Sequence, residues 1–258
     1  MTPNQAFKNR LRARELVVGS FIKTPHPVVI EIMGASALDF VILDAEHAPF
    51  DRGSIDLAMI AARSVSCPVL VRVPASDPAL MLNVLDSGAA GVVVPHVKTA
   101  DEAEALATAL HYGRDGRGFA GTTRAADYAR RSLVEHKALA GEEVSLICQT
   151  EDPEGVENAA AIAAVEGVDA LFIGRADLAV AYGKDDFFAP EIADLSEEVL
   201  GVSGASTGLY CAPGEETARW QAAGASFLVM GSEHGFMTAG AAAQVKKVRG
   251  DERPDVHR

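Results

Sequence analysis

Short apolar runs rich in β-branched residues recur along the chain at positions 17–22, 40–44, 69–73, 91–95, 145–151, 170–174, 207–211 and 227–231. Runs this short, with little polar alternation, read as strands buried on both faces, the signature of a parallel sheet. Between them lie alanine-rich segments that open on helix-start signals. These are Ser76-Asp77-Pro78, the capping box Thr99-x-x-Glu102, Asp152-Pro153, and Pro213 ahead of Glu215-Glu216. Several close on a glycine, as in Asp86-Ser87-Gly88 and Ala223-Gly224-Ala225. Eight strands alternating with helices predict an α/β protein, a (β/α)8 TIM barrel whose closure leaves no exposed edge. Residues 4–16 carry basic and apolar side chains at helical spacing and predict a leading helix that plugs the barrel floor. The barrel is expected to fill residues 1–250 as one domain, with 251–258 a frayed charged tail.

One connection breaks the rhythm. Between the fourth and fifth runs, Gly113, Gly116, Gly118 and Gly121 surround Arg114, Arg117 and Arg124. The expectation is a loop over the barrel mouth that helps hold an anionic substrate; the plainer alternative is an ordinary surface loop.

Composition narrows the function. With 258 residues and 48% hydrophobic content the chain can bury one large core. Lys+Arg 23 against Asp+Glu 36, a formal charge of −13, argues against a nucleic-acid or anionic-membrane partner. Cys67, Cys148 and Cys211 are few and far apart, so neither a disulfide framework nor a structural zinc site is indicated, and they read as small core residues. No apolar run approaches the length of a membrane span, and a cytoplasmic protein is expected.

In such a barrel, chemistry gathers at the carboxyl ends of the strands. The second run stops at Asp44-Ala-Glu46-His47, the third at Arg72, the fifth at Gln149 and Glu151, and the sixth at Gly174-Arg175-Ala176-Asp177. Glu151 and Asp177 stand at neighbouring strand ends and suit a hard divalent cation such as Mg2+, Mn2+ or Co2+. Helix capping is the competing explanation, but Asp152 is expected to fill that role and leave Glu151 spare. Arg72 calls for an anionic ligand or a carboxylate partner. Asp86 falls in the last turn of its helix, where a carboxylate opposes the helix dipole, so a cationic partner is expected. That helix runs from the mouth to the floor, which implies that any contact between Asp86 and His47 crosses to a neighbouring subunit.

Asp44-Ala-Glu-His-Ala-Pro49, Val71-Arg-Val73, Leu85-Asp-Ser-Gly88, Gln149-Thr-Glu151, Glu166-Gly-Val-Asp169 and Phe172-Ile-Gly-Arg-Ala-Asp-Leu178 together resemble, in order and spacing, the HpcH/HpaI family of class II pyruvate aldolases. The resemblance implies metal-dependent, reversible cleavage of 4-hydroxy-2-oxoacids to pyruvate and an aldehyde through a metal-stabilised enolate. Oxaloacetate decarboxylation is implied as a side activity, with broad aldehyde acceptance and no organic cofactor. It also implies a hexamer whose last helix packs on a neighbour. Glu151 and Asp177 become metal ligands, Gln149, Ala176 and Asp177 substrate contacts, Arg72 the charge stabiliser, and His47 an acid/base assisted by Asp86. Asp44 is implied to hold a metal-bound water, and Arg124 and Leu209 are expected on the aldehyde side. Arg175 stands where many relatives have proline, a departure expected to reshape that side.

Four rival readings remain. Lys98, the only lysine identified near a strand end, would make a Schiff-base aldolase. A malyl- or citryl-coenzyme A type lyase and a macrophomate-synthase-like decarboxylating enzyme share the barrel and metal logic. From a different class comes a catalytically silent ketoacid-binding protein.

Overall fold

A computed structural model describes residues 1–250; the expected tail at 251–258 lies outside the described residues. The chain opens with α1 (Pro3–Arg12) and then alternates β1 (Val17–Ile22), α2 (Pro27–Gly34), β2 (Phe40–Asp44), α3 (Arg52–Ser64), β3 (Val69–Arg72), α4 (Pro78–Asp86) and β4 (Gly91–Val94). The second half runs α5 (Ala100–Leu110), α6 (Leu133–Glu143), β5 (Ser145–Thr150), α7 (Pro153–Glu157), α8 (Ala159–Ala163), β6 (Val168–Ile173), α9 (Arg175–Ala181), α10 (Pro190–Leu200), β7 (Ser206–Tyr210), α11 (Glu215–Ala223), β8 (Phe227–Ser232) and α12 (Glu233–Arg249). Each strand pairs in parallel with the next, and β8 pairs with β1 to close the barrel. The expected fold is therefore observed, with strand ends displaced by one or two residues. Among the described residues no helix is long and apolar enough to cross a membrane.

Because strand side chains alternate, each strand contributes one set to the barrel interior and another to the layer under the helices. Val17, Phe21, Phe40, Ile42, Leu70, Val93, Ile147, Ala170, Phe172, Phe227 and Val229 form the interior cluster. Val41, Leu43, Val71, Val92, Leu146, Leu171, Leu209 and Leu228 face the helices. Four phenyl rings crowd the interior: Phe40 stacks on Phe227 at 4.8 Å, and Phe172 meets Phe21 and Phe227 edge-on. That crowding explains Gly19, where a Cβ would lie 2.4 Å from the Phe40 ring. Cys67, Cys148 and Cys211 are buried and free, and burial pushes the Cys67 thiol up to about 11.

The leading helix does plug the floor, ending at Arg12 rather than near residue 16. It turns Phe7 and Leu11 into the interior cluster, with the Phe7 ring 5.2 Å from that of Phe40. A polar tie holds it there. Asp169, buried on β6, takes Lys8 Nζ at 3.3 Å and Arg12 Nε at 2.8 Å while accepting the Leu146 amide at 3.0 Å. Lys8 also donates to the Val144 carbonyl, and its burial holds its pKa below the ordinary lysine range. Removing one partner of a buried pair leaves the other charge stranded. Asp169→Asn should therefore cost about 3 kcal/mol or more, read as a lowered midpoint in urea denaturation.

Candidate active site

The alternation that fills the barrel also selects what reaches its mouth. Continuing the inward positions upward brings Lys23 after β1, Asp44 on β2, Arg72 on β3, Gln149 on β5 with Glu151 just beyond, and Gly174 after β6. Asp44 is fully buried and lies at the centre of this group. Its Oδ1 receives Arg72 Nε at 3.1 Å and Nη2 at 2.9 Å, and the His47 backbone amide at 3.1 Å. Its Oδ2 lies 3.0 Å from Lys23 Nζ. Burial opposes the charge, yet Arg72, the His47 amide and Lys23 together hold the Asp44 carboxyl below its ordinary range. Arg72 also reaches Glu46 at 3.3 Å and sits over the Phe21 ring, so it has carboxylate partners within the chain and remains at the site edge.

Glu151 forms the second pole. It is 2% exposed, accepts the His96 amide at 3.0 Å on Oε1, and takes the Gln149 side-chain amide on Oε2. Gly174 makes this possible: a Cβ there would lie 2.4 Å from Glu151 Oε2. Burial, reinforced by the charge of Asp177, pushes the Glu151 carboxyl up to about 7 against the pull of Gln149 and His96. Asp177 is exposed in the first turn of α9, beside Ala176, where backbone amides lack helical partners. Gln149 Oε1 is buried without a hydrogen-bond partner.

These features fit a divalent cation. Two repelling carboxylates, one of them buried, gain most from a cation between them, and an orphaned amide oxygen beside them can serve a bound water or substrate. Among the described residues no group of three or more His, Cys, Asp or Glu forms a cage.

Other expectations need correction. Asp152 makes no capping hydrogen bond; its carboxylate pairs with His96 Nδ1 at 3.0 Å and Lys98 Nζ at 3.4 Å. Glu151 is nevertheless free of capping duty. Leu209 is fully buried on the outward face of β7, so the alternation that would bring Tyr210 to the mouth carries Leu209 away from it. Arg124 and its loop lie at the floor, not over the mouth. Helix α5 descends to the floor before the loop begins, and Arg124 meets Asp56 on α3 and approaches Gly88 beyond α4. Arg175 is directed toward β7 and α11. It donates to the Tyr210 carbonyl at 2.7 Å, pairs with Glu216 at 2.8 Å and lies over Trp220.

Asp86 sits at the far end of α4, at the floor, with Oδ1 buried and unpartnered. Burial raises its pKa while Arg117 and Arg52 pull it back. It does not meet His47 within the chain; His47 Nε2 lies 3.7 Å from Glu46 Oε2. Lys23 and His96 were not singled out from sequence. Lys23 corrects the reading of Lys98 as the sole lysine near a strand end, and counting inward positions from Val17 would have found it. Glu233, at the start of α12, fixes its loop by accepting the Lys23 and Thr24 amides. His96 adopts a left-handed φ of 55° just past β4, and Asp152, Glu151 and Glu46 raise its pKa although partial burial opposes this.

Residues 18–237 match the HpcH/HpaI aldolase/citrate lyase family. The chain belongs to that family. Membership places it among carbon–carbon lyases. It is 31% identical over 256 residues to the hydroxypyruvate/pyruvate aldolase of Roseovarius nubinhibens, covering 97% of this chain and 99% of that one. It is 30% identical over 238 residues to the 5-keto-4-deoxy-D-glucarate aldolase of Shigella dysenteriae serotype 1, covering 90% and 92%. The crystal structure of a family protein from Burkholderia cenocepacia J2315 superposes with a TM-score of 0.89 at 28% identity, covering 95% of this chain and 100% of that one.

The raised pKa of Glu151 has a measurable sign. Without metal, the folded protein keeps a proton on Glu151 that the unfolded chain gives up near the ordinary glutamate value of 4.5. Chelator-treated protein should therefore lose stability as pH rises from 4.5 to about 7. Urea midpoints at stepped pH check this, and Glu151→Gln should flatten that part of the profile.

Proposed function

We propose that this family member catalyses the divalent-metal-dependent, reversible aldol cleavage of 4-hydroxy-2-oxoacids to pyruvate and an aldehyde. The supporting observation is the buried Glu151 carboxyl, raised by Asp177, in a barrel mouth that also holds the Asp44–Arg72 pair. The aldolases named among its relatives make the same reading natural. A divalent ion held by Glu151 and Asp177 would act as a Lewis acid toward the oxoacid's carboxylate and keto oxygens.

The chain's own residues supply the rest. Gln149 and the Ala176 backbone orient the oxoacid end by donating amide hydrogens to its oxygens, the Ala176 amide lying in the open first turn of α9. His47 takes the C4-hydroxyl proton; the C3–C4 bond then breaks and its electron pair moves toward the C2 oxygen. Arg72 adds a charge-assisted hydrogen bond where that negative charge develops, with Asp44 fixing the guanidinium from behind. Protonation at C3 completes pyruvate as the aldehyde leaves. The half-exposed imidazole of His47 suits an acid/base that meets its substrate from solvent. Asp86 belongs to this reading only across a subunit contact. The exposed apolar residues of α12, Phe236, Met237, Val245 and Val248, are compatible with the expected homo-oligomer, a hexamer by family resemblance.

The decisive experiment is deuterium exchange into the methyl group of pyruvate, followed by NMR on chelator-treated protein with and without Mn2+ or Mg2+. Exchange that requires the ion supports the proposal, and its absence under both conditions overturns it. His47→Ala should slow aldol cleavage by about 10²- to 10⁴-fold, the usual worth of a positioned acid/base, while pyruvate binding persists. Borohydride reduction in the presence of pyruvate should trap no adduct at Lys23 or Lys98, because both amines are ion-paired, with Asp44 and Asp152 respectively.

A further inference from the structure

At the floor, α1, α3, α4, α6 and the arginine-bearing loop line an open polar cavity of about 260 Å³. One water needs only about 10–15 Å³ of such space. Its wall carries Arg63, Arg117, Arg124, Arg131 and His136 against only two carboxylates, Asp127 and Glu143. Both acids are already engaged. Asp127 lies 2.6 Å from Arg130 and 3.7 Å from Arg63, while Glu143 accepts the Thr2 hydroxyl at 2.8 Å and lies 3.5 Å from Arg131. Arg124 has Asp56 as its partner.

Arg117 is the exception. It is 8% exposed, its guanidinium lies 4.0 Å from the centre of the Tyr112 ring, and Nε and Nη1 are buried with no hydrogen-bond partner. Among the described residues it makes no ion pair. Asp86 is close enough for its charge to be felt, yet it also remains unpaired and keeps one oxygen orphaned. A guanidinium does not shed its proton in a protein, so its charge persists in this low-dielectric wall. His136, 2% exposed, bonds the Tyr112 hydroxyl at 2.9 Å through Nε2, and its Nδ1 is also unpartnered. The same wall also carries apolar residues, Met59, Leu85 and Val144.

We propose that this cavity binds a small organic anion. Arg117 receives its oxyanion head through Nη2, the guanidinium nitrogen that is not closed off, a charge-assisted contact that suits carboxylates and phosphates alike, and the apolar wall residues receive a short carbon body. Arg131 and Arg63, also in the wall, add attraction. The cavity shares no residue with this chain's own mouth and does not depend on the aldolase reading.

The test is isothermal titration of the full-length, chelator-treated protein with butanoate, 2-oxobutanoate and glycerol 3-phosphate, with sodium sulfate as a head-only control. At least one organic probe should saturate, and the carboxylate and phosphate arms identify the preferred head. Arg117→Met should weaken that probe about tenfold or more, the scale of one lost charge-assisted contact, and Arg131→Gln should weaken it several-fold. Arg72→Gln, at the mouth, should leave it unchanged. Should Arg117→Met fail to fold, Arg131→Gln and the cavity-filling Ala140→Leu carry the same comparison. Failure of every organic probe to saturate overturns the site, as does affinity that survives in all floor variants or disappears in Arg72→Gln. Sulfate binding as tightly as the best organic probe overturns the organic assignment.

Discussion

Closing eight parallel strands on themselves imposes the constraint from which the rest follows: alternate residues must enter an interior that has little room. The lower inward positions must pack without voids, and the four phenyl rings with Gly19 among them meet that demand. The uppermost inward positions have no layer above them, so they are free to be polar. Lys23, Asp44, Arg72, Gln149 and Glu151 are therefore the continuation of the packed core into a place where packing no longer decides the residue. The core below also sets their heights, because parallel registers such as Asp44 with Arg72 align one strand end with the next.

Electrostatics then divides this group into two poles. On the β2–β3 side, Asp44 is neutralised by Arg72 and Lys23, and its carboxyl is held low. On the β5–β6 side, Glu151 is buried and faced by another carboxylate, with only partly compensating donors, and its carboxyl is driven high. Two carboxyl groups of the same barrel, displaced in opposite directions by their surroundings, imply different work. The first fixes a guanidinium. The second is suited to hold a cation, and Gly174 leaves the space in which its carboxylate turns.

Sequence pattern revealed the strands, the leading helix and most mouth residues because period-two hydrophobicity is written directly into the chain. It failed where direction or topology mattered. Leu209 is one residue out of phase with the mouth, and Lys23 is in phase but follows a run that gives no reason to look beyond it. The glycine- and arginine-rich loop looked suited to an anion, but it begins after a descending helix, so the chain delivers it to the floor. Asp152 has the position of a cap without the bond, because His96 and Lys98 compete for its carboxylate. None of these outcomes is a matter of residue type; each depends on neighbours brought together only by folding.

The floor gives the same rule a second form. A chain with a formal charge of −13 has acids in excess, and at most surface sites an arginine can find one. Asp169 shows this at α1, where one carboxylate serves Lys8, Arg12 and a backbone amide at once. Arg117, also at the floor, finds none among the described residues: Asp127 and Glu143 are held by other arginines and Asp86 stays out of ion-pair range. An uncompensated buried guanidinium in an acid-rich protein is not explained by a shortage of carboxylates. It marks a place where the fold leaves the counter-charge to come from outside the chain.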